Sequence, residues 1–270
     1  MSSGLLRVLT ALVGAPLVIG AVVVGGVWFT GLIVIAGAIC QLEYYGIGRA
    51  TSSPLLVGLG IAAGACGAAG FQFPVLFVPA LLLALCLLLL FPFTYHSERA
   101  VSVLAVLVSG IFYPALMLGT LVGVRTSAPE QQALMLTVLS IVLVWSSDTF
   151  AYYIGRAVGS HQLTPISPKK TWEGAVGGLS GAILVALLLK QLWLGDVFSW
   201  QQLVIVAFIA GGVGQLGDIF ESKLKRAADV KDSGAILPGH GGMLDRLDAV
   251  IVVSPLIYTA FVLIPHVVAG

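Results

Sequence analysis

Nine stretches of this chain run almost free of charge, each near the length of about 20 apolar residues that a helix needs to cross a bilayer. They cover residues 5–24, 27–47, 54–71, 75–93, 100–124, 133–154, 174–194, 203–219 and 247–268. The third, rich in Gly and Ala, is the weakest of them. Such runs are continuously apolar, whereas the strands of a membrane barrel alternate at period two, so a helical bundle is expected. Composition agrees: 59% of the 270 residues are hydrophobic and 9% are charged, against roughly a quarter charged in soluble domains. The expected fold class is therefore an all-α integral membrane protein, a polytopic bundle of about nine transmembrane helices.

Lys and Arg accumulate in cytoplasmic loops, which gives a test of orientation. The nine spans place Arg7, Arg49, Arg99, Arg156, Lys169, Lys170, Lys223, Lys225, Arg226, Lys231 and Arg246 on one side, and Arg125 and Lys190 on the other. The split predicts a cytoplasmic N-terminus, a C-terminus outside, and polar loops facing the cytoplasm from a multi-pass protein of the inner (cytoplasmic) membrane. Arg7 ahead of an apolar run resembles a signal peptide, but the chain continues straight into further apolar spans, so a retained first helix is expected. A net charge of +1 gives no reason to expect nucleic acid as a partner. Cys40, Cys66 and Cys86 all fall inside apolar spans and are expected to be plain core residues.

The chain divides by composition. Residues 1–132 form a hydrophobic scaffold with few polar residues, and residues 133–270 carry the polar chemistry within one continuous membrane domain. In the scaffold, Glu43 beside Tyr44 and Tyr45 is a candidate functional residue, but aromatic residues are common at the membrane interface, and anchoring there is the expected role. The small-residue face from Gly58 to Gly70 is expected to pack on other helices or on a second protomer, which makes a homodimer one expected assembly.

Three polar patches lie in the second half. The first is Trp145 to Arg156, with Asp148 well inside a predicted span, where a carboxylate is costly and is a functional candidate by default. Helical spacing puts Trp145, Asp148, Tyr152 and Gly155 on one face. The second, Ser167 to Gly174, brings Lys169 and Lys170 to the mouth of a helix in a connection stiffened by Pro165 and Pro168, which suits phosphate attraction as well as simple anchoring. The third runs from Asp218 to Asp248. Continuing the eighth helix past Asp218 aligns Asp218, Ser222, Lys225 and Asp229, a stripe running from a carboxylate at membrane depth to outer basic residues. Asp218 offers oxygen to a hard cation such as Mg²⁺, while Lys225 and Arg226 can clamp phosphate oxygens. The turn Pro238-Gly239-His240-Gly241-Gly242 then feeds a helix through Asp245, Arg246 and Asp248, offering a backbone nest for an anion beside Lys231.

The run Ser222-Lys223-Leu224-Lys225-Arg226, then Lys231-Asp232-Ser233-Gly234, then Leu237 to Asp248 resembles the signature of the phosphatidate cytidylyltransferase, or CDP-diacylglycerol synthase, family. The segments 148–156 and 167–174 resemble that family's upstream segments, so the likeness covers the second half in order. The resemblance implies CTP and phosphatidate as substrates, CDP-diacylglycerol and pyrophosphate as products, membrane lipids as surroundings, and a requirement for Mg²⁺, with one or two cations left open. On that footing Asp218, Asp245 and Asp148 are the expected metal ligands, with Asp248 beside them. Ser222, Lys225 and Arg226 are expected to orient the lipid phosphate or the α-phosphate. Lys169, Lys170 and Lys231 would draw in the triphosphate, with His240, Gly241, Gly242 and Arg246 completing the binding residues. Two other readings compete: a CTP-dependent lipid or polyprenol kinase, which would release CDP, and an ion-coupled transporter using Asp148 and Asp218 near the midplane.

Overall fold

The computed structural model describes residues 3–96, 98–127, 129–237, 239 and 241–264, apart from the side chains of residues 3–11 and 13. Among these residues the fold is helical, with isolated bridges between Gln162 and Thr171 and between Leu237 and Gly241 but no strand. Seven helices are long and apolar enough to span a membrane: α2 (Gly26–Ile47), α4 (Pro74–Thr94), α5 (Ala100–Arg125), α6 (Glu130–Val158), α7 (Trp172–Val197), α8 (Trp200–Ala227) and α9 (Leu244–Leu263). Two further apolar helices, α1 (Ser3–Val24) and α3 (Pro54–Gly70), fill the remaining expected positions; α3 and the described side-chain portion of α1, Gly14–Val24, are shorter than the others. All nine expected runs are thus helical. Arg7 by its side chain, His240, and residues 265–268 of the last expected span lie outside the described residues.

Alternation of the helices brings the carboxyl ends of α2, α6 and α8 and the amino ends of α7 and α9 to one end of the bundle. Ion pairs and hydrogen bonds tie these ends together there. At the opposite end, the two cations that the charge count separated from the rest are absorbed locally. Arg125 donates from Nε to Val22 O at 2.7 Å and from Nη2 to Val23 O at 2.9 Å, at the carbonyl end of α1 where a cation is favoured. Lys190 Nζ donates to Gly195 O and Phe198 O, each at 2.7 Å.

Close approach of helices is achieved by small residues, as expected where lipid removes the hydrophobic drive between helices. Gly174, Gly177, Gly178 and Gly181 lay one face of α7 against Ala151, Ile154, Ser147 and Phe150 of α6, making this the most extensive helix pair. Gly60, Gly64 and Gly67 of α3 pack inside the chain against Tyr45, Gln41 and Leu116, so that small-residue face is used intramolecularly. A π-helical turn over Ile209–Val213 in α8 frees the carbonyl of Gly211, which accepts from Ser147 Oγ at 3.2 Å and Gln215 Nε2 at 2.5 Å.

Two expectations about the scaffold are corrected. Tyr44 and Tyr45 are buried rather than interfacial: the Tyr45 hydroxyl donates to Leu107 O at 2.9 Å, and the Tyr44 hydroxyl pairs with Ser109 Oγ at 2.9 Å. A buried tyrosine needs such a partner for its hydroxyl, which is what holds these rings inside. Of the cysteines, Cys40 is buried but Cys86 is exposed on the outer side of α4.

Candidate functional site

The connection before α7 is held by its own backbone. Leu163 N donates to Lys170 O at 2.8 Å, Trp172 N to His161 O at 2.9 Å, and Lys170 N to Ser167 O at 3.0 Å. Thr171 then caps α7, its hydroxyl accepting from Gly174 N at 3.1 Å. Lys170 is thereby fixed at the helix mouth, where its Nζ lies 2.5 Å from Asp218 Oδ2.

Asp218 belongs to the polar last turns of α8, which runs past it as expected but only to Ala227. Asp229 is therefore not on the stripe with Asp218, Ser222 and Lys225. The chain has left the helix there, and Asp229 has φ 59°, a left-handed conformation that Asp tolerates better than most residues. The residue that does share the face is Glu221, at i+3 from Asp218 and i−4 from Lys225. Its side chain is buried, and Lys225 Nζ lies 2.7 Å from Glu221 Oε2 and 2.5 Å from Asp245 Oδ1. Lys225 therefore ties α8 to α9 through Asp245 and holds Glu221 of its own helix.

A cavity of about 760 Å³ opens between these ends, lined by all three polar patches. Asp148, Lys169, Lys170, Asp218, Lys225, Asp245, Arg246 and Asp248 all face it. Of the shared face expected on α6, Asp148, Tyr152 and Gly155 line the cavity and Trp145 does not. Within it, Asp218, Glu221 and Asp248 each offer a carboxylate oxygen, all within 4.8 Å of one another. Glu221 Oε1 is buried with no hydrogen-bond partner, although Oε2 is paired. A buried carboxylate oxygen without a donor is costly, and its place beside two more carboxylates fits a hard cation, which takes oxygen ligands.

Other expected residues lie outside the lining. Ser222 Oγ donates to Asp218 Oδ1 at 3.3 Å. Arg226 is exposed and donates to Val230 O at 3.3 Å, closing the end of α8, and Lys231 is exposed on the loop beyond. The backbone of the glycine turn faces the protein's own groups: Gly241 N donates to Leu237 O at 3.2 Å, and Gly242 N to Asp245 Oδ2 at 3.2 Å. Asp245 Oδ2 also accepts from Ser233 N at 3.0 Å.

Sequence reasoning passed over Glu221 and favoured an anchoring role for Glu43. Glu221 was legible, since i+3 from Asp218 is as good a helical neighbour as i+4. Glu43 was not: it reaches the site from α2, where its carboxylate accepts from Leu244 N at 2.8 Å, Met243 N at 3.1 Å and Ser233 Oγ at 3.0 Å.

A profile described as "Cytidylyltransferase family" matches residues 5–264. This chain belongs to that family. A Bacillus subtilis (strain 168) protein named phosphatidate cytidylyltransferase is 32% identical over 265 residues, covering 93% of this chain and 95% of the relative. Proteins of the same name from Synechocystis sp. and Brucella abortus biovar 1 (strain 9-941) are similar over shorter stretches. The first is 41% identical over 132 residues, 48% of this chain and 44% of its own length; the second is 38% identical over 151 residues, 56% and 54%. The full-length match and the cavity therefore concern the same helices.

Proposed function

We propose that this chain transfers a cytidylyl group from CTP to phosphatidate, giving CDP-diacylglycerol and pyrophosphate, from a site at the cytoplasmic face of the inner membrane. The observation that carries this reading is the convergence of Asp148, Asp218, Glu221, Asp245 and Asp248 with Arg156, Lys169, Lys170, Lys225 and Arg246 on one cavity at one end of the bundle. A lipid phosphate and a soluble nucleotide can meet only where the membrane meets water. Eleven of the thirteen Lys and Arg residues belong to the same end of the expected topology, which supports a cytoplasmic orientation.

Asp218, Glu221 and Asp248 are the residues suited to hold Mg²⁺, with Asp148 facing the same cavity. When bound there, the ion supplies charge neutralisation among phosphate oxygens. Asp245, whose oxygens accept from Lys225, Ser233 N and Gly242 N, organises the loop and the lysine rather than offering a free ligand. An oxygen of the phosphatidate phosphate attacks the α-phosphorus of CTP; as that bond forms, the bond from this phosphorus to the oxygen bridging to the β-phosphate breaks, and pyrophosphate departs. The attacking oxygen is already ionised, so no general base is needed. The protein's task is orientation and charge compensation among anions. Lys169 and Lys170, together with Arg156 and Arg246, supply cationic contacts for the nucleotide phosphates, and Ser222 orients Asp218 through its hydroxyl.

Purified protein in lipid nanodiscs, given CTP and phosphatidate with and without Mg²⁺, should release pyrophosphate and CDP-diacylglycerol in equal amounts. Release of CDP with phosphorylated lipid would replace this reading with that of a kinase.

A further inference from the structure

The amino end of α9 has no side-chain cap of its own. Met243 precedes it without a side-chain hydrogen bond to the helix, yet the first amides of a helix need acceptors. They find one about 200 residues away in the chain. Glu43 Oε2 accepts from Leu244 N at 2.8 Å and from Ser233 Oγ at 3.0 Å, and Oε1 accepts from Met243 N at 3.1 Å. Ser233 Oγ in turn accepts from Asp245 N at 3.3 Å. Asp245 Oδ1 accepts from Lys225 Nζ, which also holds Glu221. A continuous path of hydrogen bonds and ion pairs thus runs from Glu43 in the scaffold, through the loop and the start of α9, to the carboxylates on α8.

The glycines of the loop fit this carboxylate closely. A Cβ at Gly234 would meet Glu43 Oε1, and one at Gly242 would meet Ser233 Oγ and Glu43 Oε2. Gly234 and Gly242 are therefore required by the approach of a protein anion, whatever the loop does for a nucleotide. Glu43 itself is 6% exposed and does not line the cavity.

We propose that Glu43 is a positioning residue: its carboxylate caps α9 in trans and fixes the placement of Asp245 and Asp248 relative to Asp218 and Glu221. The inference rests on reading the Asp218–Asp248 end as the reacting site. It assigns a role in the reaction to the half of the chain that carries almost no polar residues.

The test uses the full chain in nanodiscs with Glu43→Gln. The amide isostere keeps volume, but its NH₂ group must face at least one of the donors that the carboxylate accepts. Hydrogen exchange at the Met243 and Leu244 amides is expected to accelerate by about tenfold or more, the worth of a hydrogen bond to a charged group, with exchange in α6 and α7 unchanged. kcat for CTP with phosphatidate should fall by about tenfold or more while KM for CTP moves less than about threefold, because the lost interaction aligns groups for reaction rather than binding nucleotide. Ser233→Ala keeps both amide bonds to Glu43 and should show a smaller version of both effects. Unchanged exchange at Met243 and Leu244 would overturn the cap. Faster exchange with unaltered kcat would overturn the positioning role, and a Ser233→Ala effect as large as that of Glu43→Gln would transfer it to Ser233. Should the wild-type chain consume no CTP with phosphatidate, the reading of the reaction fails separately, and the exchange data still decide whether Glu43 holds α9.

Discussion

Replacing Lys225 by Met separates two accounts of this residue that the sequence alone leaves indistinguishable. As a phosphate contact, Lys225 would be a cation waiting for substrate, and its loss would chiefly weaken nucleotide or lipid binding. The structure instead puts its Nζ between Glu221 and Asp245, with side-chain exposures of 12% for Lys225, 1% for Glu221 and 12% for Asp245. Removing the lysine leaves two nearly buried carboxylates facing each other. Breaking such a pair by deleting one partner costs about 3–5 kcal/mol. At about 2–4 °C per kcal/mol for a chain of this size, the thermal midpoint should fall by roughly 6–20 °C. Lys225→Arg keeps the charge and should lose well under half of that. Lys225→Met combined with Glu221→Gln removes one of the two orphaned charges and should recover part of the loss, giving a favourable coupling in a double-mutant cycle. Tryptophan fluorescence during heating in detergent micelles reads the midpoint, and steady-state turnover reads KM for CTP. A midpoint within about 2 °C of wild type, less than about 1 kcal/mol, together with a raised KM, would refute the internal counter-ion and return Lys225 to substrate contact.

Other substitutions should separate the remaining roles. Asp218→Asn, in a protein that still inserts and folds, should raise the Mg²⁺ concentration for half-maximal turnover by about tenfold or more; an unaltered Mg²⁺ titration would remove Asp218 from the cation group. Lys169 is exposed at the cavity rim and makes no hydrogen bond or ion pair among the described residues, so Lys169→Ala should raise KM for CTP by up to about fivefold, the scale of an exposed charge contact, with kcat and thermal midpoint unmoved. Thr171→Ala removes the α7 cap and should cost about 1 kcal/mol, read as a drop of about 2–4 °C in midpoint, and a larger fall in kcat than in midpoint would show that the cap also serves Lys170.

The membrane spans were legible because hydrophobic runs are local. Pro54, for instance, opens α3 where the sequence places the start of a span, and α8 carries its polar face beyond Asp218 as its spacing implies. Convergence of the three polar patches was legible as a requirement, since isolated carboxylates at membrane depth need partners. What the sequence hides is pairing over distance. Glu221, at i+3 from Asp218, lay within reach of periodicity, which ranks it level with Ser222 at i+4; its burial and its partners are what the sequence does not display. The glycine turn reads as a nest for a foreign phosphate because its backbone amides and the flanking Lys231 suit an anion, and the sequence does not show that Asp245 occupies Gly242 N. Its second anion, Glu43, arrives from a helix whose neighbours Tyr44 and Tyr45 make it look like an interface marker. Tyr113 and Phe220 meet edge to face with centroids 5.0 Å apart, which shows how closely the apolar half and the polar half are joined, a contact that division by composition cannot anticipate.

The charge arrangement separates two lysines that residue type alone leaves alike. Five carboxylates and five cations line the cavity, so its formal charge sums to zero, and two of the cations, Lys170 and Lys225, already face three of the carboxylates. A cluster of one sign, partly buried, would destabilise the fold that carries it; interleaving the signs lets the site form from the chain alone. Lysine suits this arrangement because its ammonium is a compact charge with three rotatable donors, able to change partners without the fixed fork that a guanidinium imposes. Lys170, with its backbone pinned by the loop and its side chain reaching Asp218, is placed to exchange that partner. Lys225 is locked between two helices by two partners and is not. A sequence lists both as basic residues ahead of an acidic one; only the number and burial of their partners tells the exchangeable cation from the structural one.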